Sequence, residues 1–186
     1  MRGQFFSVDV FIASLILVGG AVVLLYTVVG MTGLQQAQLF SGDVLRETLV
    51  SSVRELNYPV LMSPTDGFAD ADNPYDIRNF DMSLGELIAE YHYLAEQSVA
   101  GSPEEGNYTE RRDTITQQTI APQIPNQYSY TISIGEDLDD MTLLADRERI
   151  HIDRAEFVVA SRSIVAGIDR NREFFGPYTI EVIVWN

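Results

Sequence analysis

The run Val10-Phe-Ile-Ala-Ser-Leu-Ile-Leu-Val-Gly-Gly-Ala-Val-Val-Leu-Leu-Tyr-Thr-Val-Val-Gly30 carries no charge. At roughly 1.5 Å per residue, a helix of about 21 residues reaches about 30 Å, the thickness of a bilayer's hydrocarbon core. A buried helix of a globular core is usually shorter and shows polar positions at helical spacing, and this run shows almost none. It therefore predicts a membrane-spanning helix. Before it stands a short head, Met1-Arg-Gly-Gln-Phe-Phe-Ser-Val-Asp9, whose one positive charge is Arg2. A secretory signal would end its apolar stretch after roughly 7 to 15 residues at a small-residue cleavage site. Here the stretch continues instead into Met31-Thr-Gly-Leu-Gln-Gln-Ala-Gln-Leu-Phe40.

Downstream, Phe40, Val44, Leu45, Leu49, Val53 and Leu56 keep the spacing of a one-sided helix. Asn57-Tyr58-Pro59 stops it, because the residue before a proline avoids helical angles. Ser41-Gly42-Asp43 marks a kink or a fresh N-cap. The expectation is a leader and processing region over 1–9, a transmembrane helix running on as an amphipathic helix over 10–57, and a head domain over 58–186. The head is long enough for one core of its own.

Net charge is −15, from 27 acidic and 12 basic residues, and every basic residue is arginine. An acidic, lysine-free surface suits concentrated salt, where screening removes self-repulsion, and it points to a halophilic source. Nucleic acid is not an expected partner, since phosphate binding needs a basic face. The chain has no cysteine, which excludes disulfides, thiolate metal sites and cysteine catalysis.

In the head, Ser83-Leu-Gly-Glu86 reads as a capping box, opening a helix with Leu84, Leu87, Ile88, Tyr91, Leu94 and Ala95 on one face. Ser102-Pro103-Glu104 opens a further turn, and Tyr108 to Thr119 reads as a second, polar helix. From Gln127 the period changes to two. Tyr128 to Ile134, Met141 to Leu144, Arg149 to Asp153, Ala155 to Val165 and Tyr178 to Trp185 read as strands. Together they predict an antiparallel meander of four or five strands, packed on Phe40–Leu56 and on the helix after Ser83. The fold class is α+β: a long N-terminal transmembrane and amphipathic helix, then a head with an antiparallel sheet and one or two short helices.

Catalytic signals are thin. His92 lies within Tyr91-His-Tyr93 on a helix, and His151-Ile-Asp153 places a histidine and an aspartate on one strand face. That pair could orient a base, but no nucleophile motif accompanies it, and the histidines read as surface or structural residues. No enzymatic activity and no cofactor is expected. Asp66, Asp70, Asp72 and Asp76 fall in a turn-rich stretch. They read as a solvated acidic loop, or as ligands gathered around Ca²⁺ without the EF-hand order. Asn107-Tyr108-Thr109 is an acceptor triplet for N-glycosylation, used only on the outer side of a membrane. Arg2 favours a cytoplasmic N-terminus, so residues 58–186 are read as extracellular.

The order of a short basic leader, Gly3-Gln4, Ser7, the acidic Asp9 and an uninterrupted apolar run resembles the N-terminus of archaeal type IV pilin-like precursors with a class III signal. The family pattern is Gly-Gln-x-Ser-x-Glu, cut between Gly and Gln. This chain has one extra residue before Ser7, and Asp replaces Glu. Cleavage after Gly3 makes Gln4 the first residue and Asp9 the sixth; cleavage after Gln4 makes Phe5 the first and Asp9 the fifth. The resemblance covers about the first 30 residues. It implies a structural subunit of a surface filament, a prepilin peptidase that removes the leader, and membrane lipid and other pilin-like subunits as partners. It also gives Asp9 a role, pairing with the new α-amino group of a neighbour and fixing register. The residues alone leave a second role open, at headgroup level or at the helix N-terminus.

Overall fold

The computed structural model describes residues 16–25, 35, 38, 42, 47–63, 68, 69, 73 and 75–186. The chain divides into two compact units, Met1–Gln36 and Ala37–Asn186. In the first, residues 16–25 form helix α1. Its side chains are apolar all round and exposed, Ile16 at 70%, Leu17 at 73% and Leu24 at 66%.

The long helix expected over 10–57 is corrected by the structure. Among the described residues the apolar helix covers 16–25, and none is long and apolar enough to cross a membrane. Nor does the amphipathic half form a continuous helix. Ser52 is extended (φ −67°, ψ 148°) and caps a new four-residue helix, α2 (Val53–Leu56). The backbone from Leu49 to Arg54 instead bonds the strip Phe80–Gly85: the amides of Val53 and Arg54 donate to Met82 and Phe80, and those of Leu84 and Gly85 to Ser51 and Leu49. The four-residue spacing of Leu49 and Val53 was a true burial signal, at 2% and 0% exposed. Spacing alone does not distinguish one helix face from two side chains set into a core by a bent segment. A further short helix, α3 (Pro59–Met62), follows the left-handed Asn57.

Two longer helices cover the sheet. α4 (Leu84–Gln97) starts at the expected capping box, with Ser83 Oγ accepting from the Glu86 amide (3.2 Å) and Glu86 Oε2 from the Ser83 amide (2.7 Å). α5 (Pro103–Thr119) begins five residues before the expected Tyr108, because Ser102 caps it and Pro103 takes its first position. It is polar, and buries only Arg112, Ile115, Thr116 and Thr119.

The strands are β1 (Ser129–Gly135), β2 (Thr142–Arg147), β3 (Val158–Ile168) and β4 (Phe174–Trp185). They form one antiparallel sheet in the order β2-β1-β4-β3, which corrects the meander. β1–β2 and β3–β4 are hairpins, and β1 and β4, with the most buried side chains, pair in the centre. The link from β2 to β3 must therefore pass from one edge to the other. The stretch expected as a strand, Arg149 to Asp153, belongs to that crossing, and a 3₁₀ turn occupies Ile152–Arg154. The crossing is fastened: the amides of Arg149 and Ile150 donate to Ser129 Oγ (3.0 and 3.2 Å), and Trp185 Nε1 donates to the Ile150 carbonyl (2.6 Å). On the helix side, Ile132, Ile134, Ile180, Val182 and Val184 pack with Leu87, Ile88, Ile115, Leu49 and Val53 into one core.

Candidate functional site

Gly3, Gln4, Phe5 and Asp9 lie outside the described residues, as do Asp66, Asp70 and Asp72. What the structure does show of the N-terminal stretch is α1, a helix without a polar face. A side chain added at Gly19 or Gly20 would meet nothing within 4 Å. That flank is open to a closely approaching helix or to lipid.

Asn107 sits half-exposed in the second turn of α5, with Thr109 half-exposed beside it. The acceptor triplet is thus helical and reaches the surface of the head. Asp76 is different from the solvated loop residue expected. It is 1% exposed, and Arg111 Nη1 lies 2.7 Å from its Oδ1. Arg111 in turn stands 4.4 Å above the Phe68 ring. Among the described residues no group of three or more carboxylates and histidines is arranged to hold a metal ion.

A buried polar network that the sequence did not reveal joins α4, α5 and the β3–β4 turn. Glu90 Oε1 accepts from the Arg170 amide (3.0 Å) and faces its Nε at 3.5 Å. The Arg170 guanidinium lies 5.9 and 5.5 Å from the rings of Tyr91 and Tyr108. Tyr91 donates to the Tyr75 carbonyl (2.9 Å), and Tyr75 meets Tyr108 edge to face at 5.2 Å. Burial raises Glu90 above the usual carboxylate range, with Arg170 opposing, and burial likewise raises Tyr91. Buried Glu90 has its counter-charge, Arg170, from a distant part of the chain, the arrangement of a positioning network that fixes how α4 and the turn meet.

The two histidines separate in role. His92 is 3% exposed. Arg112 Nη1 lies 2.9 Å from its Nδ1. Arginine has only donors, so Nδ1 accepts and the proton sits on Nε2, 3.5 Å from Glu96 Oε1. Tyr178 packs edge-on against the ring at 4.9 Å and donates to Glu96 Oε2 (2.7 Å). Burial and the Arg112 charge lower His92 to about 4. It is neutral and closed to substrate. His151 does pair with Asp153 (3.2 Å), but both are exposed, His151 capping the 3₁₀ turn and Asp153 lying within it, so the shared strand face expected for them does not exist.

Comparison of the chain with protein-family models, with curated proteins and with solved structures returns no match.

Proposed function

We propose that the chain is a pilin-like structural subunit of an archaeal type IV pilus-like surface filament, held in the cell membrane by its apolar N-terminal stretch, with residues 58–186 outside the cell. The observation that carries this reading is the uncharged run Val10–Gly30 set directly behind Gly3-Gln4, Ser7 and Asp9. The exposed, all-apolar α1 supports it, because an apolar surface on every side needs lipid or neighbouring subunits to cover it. Packing between such stretches comes from van der Waals contact, for which Gly19-Gly20 leaves room.

In this mechanism a prepilin peptidase cuts after Gly3 or Gln4. The new α-amino group of one subunit pairs with Asp9 of the next, and a pair buried among apolar neighbours sets the register that apolar contact leaves loose. Asn107 then carries a glycan on the outward-facing head. The part played is structural, not enzymatic.

The test combines N-terminal sequencing of the mature protein with electron microscopy of sheared surface material. A terminus at Gln4 or Phe5, together with filaments containing the chain, is expected. Asp9→Ala should insert in the membrane at least as well as wild type, since a charge at a helix centre costs about 2.5 to 3.5 kcal/mol and less near an end. It should form few filaments or none. An intact Met1 with no filaments under any growth condition would replace the reading with that of an anchored ectodomain that never polymerises.

A further inference from the structure

We propose that the seam between α4 and α5 is an acid-sensitive latch: a second proton on His92 uncouples the two helices, and α5 opens before the rest of the head. The proposal concerns the head and holds whether or not filaments form.

α5 is held by little apolar contact. Among the described residues, Ile115 is the one apolar side chain of this helix that is buried, whereas α4 buries Leu84, Leu87, Ile88, Tyr91 and Leu94. Thr116 and Thr119 are buried too, but their hydroxyls donate to the carbonyls of Arg112 and Ile115 (3.0 and 2.6 Å), so those protons stay within α5. The seam itself is crossed by Arg112 Nη1 and His92 Nδ1, 2.9 Å apart, from residues 4% and 3% exposed. A segment with few buried apolar contacts is the kind that opens below the cost of global unfolding.

The crossing bond exists only while Nδ1 keeps its lone pair, because arginine offers donors alone. A proton placed there removes the acceptor and sets two cations in contact away from water. Each partner has an acid on its own helix. His92 has Glu96, one turn on in α4, with Oε1 3.5 Å from Nε2. Arg112 has Asp113 on α5, whose Oδ1 stands 2.9 Å from both Nε and Nη2. Protonation thus ends the bond between the helices and leaves each partner ion-paired within its own.

The other ionisable groups around the ring do not restore the crossing. Tyr178 of β4 meets the ring edge-on and donates to Glu96. Asp140, between β1 and β2, is exposed, and it favours the proton less than burial and Arg112 oppose it. The face that β3 turns to the core carries Val159, Ser161, Ser163 and Val165, none of them ionisable. The helix set loose is the one that bears the Asn107 triplet.

Hydrogen exchange read by mass spectrometry, on the full chain in detergent at pH 7 and pH 5, tests the latch as protection factors, with the intrinsic rate divided out at each pH. His92 titrates at about 4 when closed and near 6.5 when free, so protection over residues 103–119 should fall about tenfold or more at pH 5. Residues 178–185 of β4 should stay better protected than α5 at both pH values. His92→Gln, which still accepts from Arg112 but takes no proton, should hold α5 protection level. His151→Gln, at the exposed histidine, should keep the wild-type fall. A level wild type, equal protection of α5 and β4 at pH 5, the full fall in His92→Gln, or its loss in His151→Gln would each overturn the proposal. Should His92→Gln not fold, the wild-type and His151→Gln measurements decide alone.

Discussion

At the scale of single residues, His92 sets a pH dependence. Folded, it titrates at about 4; unfolded, near the ordinary 6.5. Between those values the unfolded chain binds a proton that the folded one refuses. Stability from this group is therefore full above pH 6.5 and falls as pH drops toward 4, by up to about 3 kcal/mol. Glu90, raised by burial, works in the opposite sense. The comparison with His92→Gln isolates the histidine, because glutamine can still accept from Arg112 and does not titrate. Urea midpoints of the full chain in detergent at pH 7 and pH 5 should diverge for wild type and draw closer for His92→Gln. An unchanged slope in the variant would remove the assignment. The sequence left His92 as a surface or a structural histidine, and its burial decides for the structural role. The buried roles of Glu90 and Asp76 were not legible, because their counter-charges, Arg170 and Arg111, stand far along the chain, on the β3–β4 turn and α5.

Among the elements, two glycines make opposite predictions. Gly135 ends β1 where a Cβ would drive into the Asp140 carbonyl oxygen, a backbone atom that cannot swing aside. Gly135→Ala should destabilise the chain by about 1 to 3 kcal/mol. Gly106 lies in α5 with nothing within 4 Å of an added methyl group, so Gly106→Ala should stabilise it by roughly 0.5 to 1 kcal/mol through helix propensity. Denaturant midpoints of both variants check the pair, and two changes of the same sign would contradict it. The elements the sequence disclosed were those with two agreeing signals. α4 has its capping box as well as its apolar face; β4 has its alternation as well as a turn before it. Arg149–Asp153 had alternation alone, and the crossing it belongs to is held by side-chain bonds to Ser129 and from Trp185 that no local pattern announces.

For the whole molecule, charge and topology decide what a tally of elements cannot. With a net charge of −15, the acids of the surface repel one another in dilute buffer. The Debye length falls from about 10 Å at 0.1 M salt to about 3 Å at 1 M. The thermal midpoint should therefore rise on going to molar salt, and the buried pairs Glu90–Arg170 and Asp76–Arg111, largely out of reach of ions, should contribute little to the rise. A flat or falling midpoint would end the halophile argument. An α+β head with an antiparallel sheet could be read from the sequence, but the strand number only as four or five, and the strand order not at all. It follows from which strands bury both faces, and that depends on the crossing over Trp185. The order has a consequence for synthesis. β4 follows the other three strands in sequence yet lies in the middle of the sheet, bonded to both β1 and β3. A chain emerging from the ribosome holds a β1–β2 hairpin and an unpaired β3, but no seam between the halves, until the residues up to Trp185 are out. A head whose two halves meet only through β4 stays threadable until that strand has emerged.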